Sequence, residues 1–328
     1  MSPEQSDNST ERHETDPAGG EPGPARPTLP ADPWPADTVV VRVGSRPEVE
    51  VAVRSAPAAV GAVDPQPAVM VHGLGGSALN WTDLMALLAD RLESRAPDLP
   101  GFGLSPPPSD HDYSIGAQAR LVARLIEMDG RGPVHLLGNS LGGAVATTLA
   151  AYRPDLVRTL TLISPALPDL RPNRARTEVA VLATPGVGTV LSRRLNDLSP
   201  EERVTGLLEI VYADPSVVTS EQRALAEEEV RRRSELPYAV DALASSARAL
   251  LREYLRTGNR GMWRLAARVT APTLVMYGRQ DRLVSHALAQ KAKASFPNAT
   301  VVVVDSGHVA QMEHPELVER YVRKHLGL

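Results

Sequence analysis

The chain has 328 residues, 42 % of them apolar, a formal net charge of −4 and no cysteine. That length allows a sizeable core, and the near balance of charge gives no reason to expect nucleic acid or an anionic membrane as partner. Without cysteine there is no disulfide framework, thiol nucleophile or Cys-based zinc site, and no apolar stretch is long enough to span a bilayer, so a cytoplasmic protein is expected.

Residues 1–35 hold eight prolines and seven acidic side chains against two arginines. Such a composition cannot bury enough apolar area to offset the entropy of ordering, so a disordered N-terminal tail is expected. From about residue 38, "TVVVRV" and "VEVAVRS" are β-branched runs separated by the turn chemistry of "GSRP", which predicts an opening hairpin. Strand and helix then alternate. "PAVMVHG" reads as a strand, "WTDLMALLADRL" as a helix, "SRAPDLP" as a short strand and "SIGAQARLVARLIEMDG" as a helix. "VHLLGN" and "VRTLTLISPA" are strands on either side of a helix from Leu141 to about Tyr152. Continuous apolar strands in this alternation mean an α/β fold with a mostly parallel central sheet covered by helices on both faces.

The next buried strand, "PTLVMYG" at 272–278, comes roughly 110 residues later, whereas a simple crossover unit needs about 30. An insertion over 166–268 is expected. It shows helical rather than strand patterning, including an amphipathic run after Thr219 opened by a capping box with Gln222, and predicts a mainly helical cap. Residues 36–165 and 269–328 then form the core. The alternation resumes with a helix near 285–296, the strand "ATVVVVD" and a last helix from Pro315.

One stretch carries chemistry. "LLGNSLGGAVA" at 136–146 places Ser140 between a predicted strand and a predicted helix, with Gly138 and Gly142 two residues to either side. A serine on so tight a turn stands in a strained conformation that lifts its oxygen above the C-terminal edge of the sheet. The helix beyond it directs free N–H groups toward a developing anion, and the N–H of Leu141 is the best placed. The alternative is that Ser140 merely caps the helix.

With this motif the chain resembles the α/β-hydrolase family. "HGLGGS" (72–77) follows the third strand as the oxyanion loop does in that family, and "DLPGFGLS" (98–105) resembles its loop after the fourth strand. "YGRQDRLV" (277–284) and "SGHVAQMEHP" (306–315) resemble its acid and histidine loops. The likeness runs from about residue 38 to the C-terminus and is weak across 166–268.

Of eight histidines, His308 lies in an "SGH" turn just after a buried strand, at the edge where Ser140 emerges, which is where a general base must stand. His72 follows another strand at that edge and is the rival; in the family that histidine holds the loop. Asp281, on the loop after "PTLVMYG", is expected to orient His308, giving the order Ser140, Asp281, His308 that the fold dictates. Asp305 and Asp169 are the alternatives for the acid. The second oxyanion donor is expected to be the N–H of Leu74.

The resemblance implies hydrolysis of a carboxylic ester on a small to medium, mainly apolar molecule through an acyl-enzyme, with no metal and no cofactor. Cleavage of a C–C bond in a ring-fission product is the alternative, because "GNSLGG" and "ALNW" resemble members with that activity. A non-catalytic ligand-binding member of the fold is a third reading.

Overall fold

Eight strands, β1 (Ala36–Val41), β2 (Val49–Ala56), β3 (Gln66–Val71), β4 (Leu92–Pro97), β5 (Val134–Asn139), β6 (Val157–Ile163), β7 (Thr273–Gly278) and β8 (Ala299–Val304), make one sheet in the computed structural model. The structure describes residues 33–169, 184 and 198–328. The strand order is β1-β2-β4-β3-β5-β6-β7-β8. Pairings from β4 to β8 are parallel, whereas β2 runs antiparallel to both β1 and β4. The predicted hairpin therefore also closes one side of the parallel sheet.

The chain leaves β3 toward β4 on one side and returns to β5 on the other, with Val71 paired to Gly138 at the carboxyl ends. Loops leaving two adjacent strands in opposite directions open a crevice there, and ligands of open α/β sheets bind in such a crevice.

Successive strand residues point to opposite faces, so the apolar runs serve two cores at once. Leu137 joins Met70 and Met276 beneath α1 (Thr82–Leu88) and a C-terminal helix over Pro315–Leu326, where Trp81, Leu84, Leu88, Val318 and Val322 are buried. Leu136 joins Val71 and Val275 beneath α2 (Ile115–Asp129) and α3 (Leu141–Tyr152). Each fully buried Leu or Val contributes about 1.5–3 kcal/mol relative to exposure. Every residue of α3 from Leu141 to Ala151 is buried, which its small side chains permit.

Between β6 and β7 the described residues form α4 (Pro200–Val211), α5 (Ser220–Ser234), α6 (Ala239–Tyr254) and α7 (Met262–Ala266). The remaining helices are α8 (Ala289–Ser295), α9 (Ala310–Glu313) and α10 (Pro315–Leu326). Helix α5 starts at the expected capping box, with Thr219 Oγ1 accepting from Gln222 N at 3.2 Å and Gln222 Oε1 accepting from Thr219 N at 3.0 Å. It is only weakly amphipathic, however: none of its residues is fully buried, and Ala226 and Val230, one turn apart, pack partly buried against Val204, Leu208 and Tyr212 while the long side chains of Arg232 and Arg233 reach the glycine-rich loops.

Residues 170–183 and 185–197 of the expected insertion, and 1–32 of the expected tail, lie outside the described residues. Trp34 and Pro35 are already tied to the core, through Trp34 Nε1 to Thr82 O at 3.1 Å and Ser55 N to Pro35 O at 3.1 Å. Among the described residues no helix is long and apolar enough to cross a membrane.

Candidate active site

Ser140 stands between β5 and α3 with φ 53° and ψ −118°, a conformation that costs a serine on the order of 1–3 kcal/mol. The turn is held on both sides: Ser140 N donates to Ile163 O at 3.1 Å, and Ser140 O accepts from Ala144 N at 3.2 Å and Ala166 N at 2.9 Å. The flanking glycines are required by close approach. A Cβ on Gly138 would stand 2.5 Å from Gly142 O, and one on Gly142 would stand 2.1 Å from Val71 O. Backbone oxygens cannot yield that distance, so strand, elbow and helix pack this closely only without those side chains.

The loop after β3 lies against the elbow. A Cβ built on Gly73 would be 3.1 Å from Ser140 Cβ, which puts Leu74 on the loop beside the serine. Leu141 opens α3, and the first N–H groups of a helix have no intrahelical acceptor. The loop's shape is fixed from beneath by His72 and Asp98. Leu99 N donates to His72 Nε2 at 2.9 Å, so the ring proton sits on Nδ1, which donates to Gly73 O at 2.8 Å. Burial lowers the pKa of His72, and with both nitrogens engaged the ring holds the loop and is not free to accept a proton. Asp98 accepts from Ala78 N at 2.6 Å and Leu104 N at 2.8 Å, joining the 72–77 and 98–105 loops.

Asp281 follows β7 and His308 follows β8. His308 Nδ1 lies 2.9 Å from Asp281 Oδ2, with the two side chains 5 % and 0 % exposed. Asp281 Oδ1 accepts from Leu283 N at 2.8 Å and Val284 N at 2.9 Å, which orients the carboxylate. Burial pushes the Asp281 pKa up, but the charge and hydrogen bond of His308 and the Val284 N–H outweigh it and hold the carboxyl below its ordinary range. Ser164, at the end of β6 with φ 43°, also leans toward Asp281, yet its buried hydroxyl makes no hydrogen bond of acceptable geometry. Asp305 faces away: it bonds Arg279 Nε at 2.8 Å, and its side chain is 76 % exposed.

The described residues contain no hydrogen bond between the Ser140 hydroxyl and the His308 ring. Asn139 joins their backbones instead, its Nδ2 donating to His308 O at 3.1 Å and to Ile163 O at 3.0 Å. Sequence reasoning missed Asn139, although its place directly before the serine at a strand end was a signal. It also missed the arginines of α5. Arg233 donates to Gly75 O and lies 5.9 Å from the Phe102 ring centroid, while Arg232 Nη2 donates to Gly103 O at 2.5 Å. The run "RRRS" gave no hint that carbonyls of both glycine-rich loops would receive it.

Among the described residues no cluster of three or more His, Asp or Glu could hold a metal ion. The family described as alpha/beta hydrolase fold matches residues 67–315. The chain is 30 % identical over 263 residues to the dihydrolipoyllysine-residue acetyltransferase component of an acetoin cleaving system from Cupriavidus necator, covering 79 % of this chain and 63 % of that protein. It therefore spans less than two thirds of that relative's length. Lipase 3 of a Moraxella species is 27 % identical over 76 % of this chain and 73 % of its own length. A 2-hydroxy-6-oxononadienedioate/2-hydroxy-6-oxononatrienedioate hydrolase from Cupriavidus pinatubonensis is 28 % identical over 79 % of this chain and 86 % of its own.

Proposed function

Because the chain belongs to the alpha/beta hydrolase fold family and is a hydrolase of that fold, we propose that it is a serine hydrolase cleaving carboxylic esters of small to medium, mainly apolar molecules. The observation that carries this reading is the backbone of Ser140, strained at a glycine-flanked elbow one residue from the amide that binds His308, whose ring in turn bonds Asp281.

In this reading Ser140 Oγ attacks the ester carbonyl while His308 Nε2 takes its proton. The Asp281 carboxylate stabilises the resulting imidazolium. The N–H groups of Leu74 and Leu141 receive the oxyanion; loss of one such donor costs about 3–4 kcal/mol of transition-state stabilisation. His308 then returns the proton to the leaving alkoxide. A water, deprotonated by the same ring, releases the acid and restores Ser140. Hydrogen bonds of this relay tighten once substrate fills the site. The helices between β6 and β7 act as a cap, and their apolar side chains favour an apolar substrate.

A second reading is favoured by the ring-fission hydrolase relative, which the chain matches over 86 % of its length: C–C cleavage of a vinylogous diketone. Both readings are tested by fluorophosphonate labelling of the wild type and Ser140→Ala, followed by p-nitrophenyl esters of graded chain length beside a ring-fission dienoate. Labelling lost in Ser140→Ala, with ester turnover exceeding dienoate turnover, is the expected result. A wild type that stays unlabelled and inert would leave a ligand-binding protein.

A further inference from the structure

Glu313 is the best-satisfied buried charge in the described chain, and nothing in the reaction uses it. Its side chain is 0 % exposed. Oε2 accepts from Ser306 Oγ at 2.8 Å and Gly307 N at 2.6 Å, and Oε1 accepts from Ala213 N at 3.0 Å and Asp214 N at 2.9 Å. Its nearest cationic candidate is the His314 ring at 3.9 Å. A carboxylate taken out of water without a close counter-charge is costly unless its lone pairs are filled, and here four donors fill them.

The donors come in two pairs that are far apart in the chain. Ser306 and Gly307 form the turn that carries His308, whereas Ala213 and Asp214 follow α4 in the segment between β6 and β7. Two further observations join the same pieces: His308 N donates to Val211 O at 2.7 Å, and a Cβ on Gly307 would stand 2.5 Å from Ala213 N. Loop backbones approach this closely only when something fixes both. His308 is also held by Asn139, through its carbonyl.

We infer that Glu313 is a positioning residue: its carboxylate clamps the His308 turn to the backbone after α4, so that the base is set from the inserted helices as well as from the sheet. This rests on the serine-hydrolase reading for its catalytic consequence but not for its structural one. A displacement of α4 would release the base along with the cap.

The test uses the full chain with Glu313→Gln, which keeps the shape but replaces one acceptor oxygen by an amide that cannot accept. Fluorophosphonate labelling and ester kcat are expected to fall on the order of 100-fold, as for a misplacement of about 1 Å, with KM little changed. Amide hydrogen exchange of residues 306–308 and 211–214 is expected to accelerate together, with 134–139 unaltered. Ser306→Ala, which removes one donor of the four, should move every readout the same way by less, and it decides the matter if Glu313→Gln fails to fold. The inference is overturned if the variants melt earlier yet keep kcat and labelling within twofold of wild type, or if only one of the two segments loses protection. Should the wild type neither label nor turn over esters, the hydrolase reading falls while the exchange measurement still decides the clamp.

Discussion

Asn139 Nδ2 reaches the backbone carbonyl of His308 at 3.1 Å, a bond across 169 positions of sequence between the residue before the serine and the proposed base. The same amide bonds Ile163 O at 3.0 Å, so one side chain registers β5, β6 and the loop after β8. Asn139→Leu should strand the buried His308 carbonyl at about 1–3 kcal/mol, while Ile163 O keeps its bond from Ser140 N, lowering the melting temperature and reducing kcat in the folded fraction. Asn139→Asp should be worse, because a carboxylate would then face both carbonyls. Thermal melts alongside ester kinetics check this.

Ser140 holds a positive φ that glycine tolerates and alanine does not. Ser140→Gly is therefore expected to unfold at higher denaturant than Ser140→Ala, by on the order of 1 kcal/mol, while both lose fluorophosphonate labelling. Equal midpoints for the two variants would mean that the elbow stores no strain.

Asp281→Asn keeps an oxygen for the N–H groups of Leu283 and Val284 but turns an amide toward His308 Nδ1. The ring is then driven to the other tautomer, and kcat should fall by on the order of 10⁴ with the fold intact. Circular dichroism and steady-state kinetics separate the two effects. If turnover persists, the acid lies elsewhere.

His135, buried in β5 with Nδ1 2.9 Å from Thr159 Oγ1, has its pKa pushed down to about 4 by burial, then by Arg158 and His325. The unfolded chain takes up the proton near pH 6.5, well before the folded one does. Stability is thus full above that pH and declines as pH falls from about 6.5 toward 4. His135→Gln should flatten the slope of unfolding free energy against pH across that window, as measured by urea titrations.

Two glycine substitutions should have opposite signs. Gly142→Ala places a methyl group 2.1 Å from Val71 O and should abolish soluble folded protein. Gly206→Ala, inside α4 with nothing within 4 Å of its Cβ, should stabilise by about 0.5–1 kcal/mol. Expression yield and denaturation midpoints report both.

What the sequence by itself determined was everything that local pattern encodes. The runs "VHLLGN" and "ATVVVV" became β5 and β8, Thr219 and Gln222 opened α5, and Pro315 began α10, because alternation, capping and proline act within a few residues of where they are read. The side chains of Ser140, Asp281 and His308 stood out for the same reason, each at a strand end with a turn after it. Helix α5 misled because its sequence period does not report which face is covered. Only the tertiary structure decided that β2 pairs with β4, that both nitrogens of His72 are spent on the loops, and that Asn139 and Glu313 both bond the backbone of the His308 turn. Most of these depend on contacts between segments 27 to 169 residues apart, and a buried amide or carboxylate carries no mark in the linear chain of which distant backbone groups will fill it.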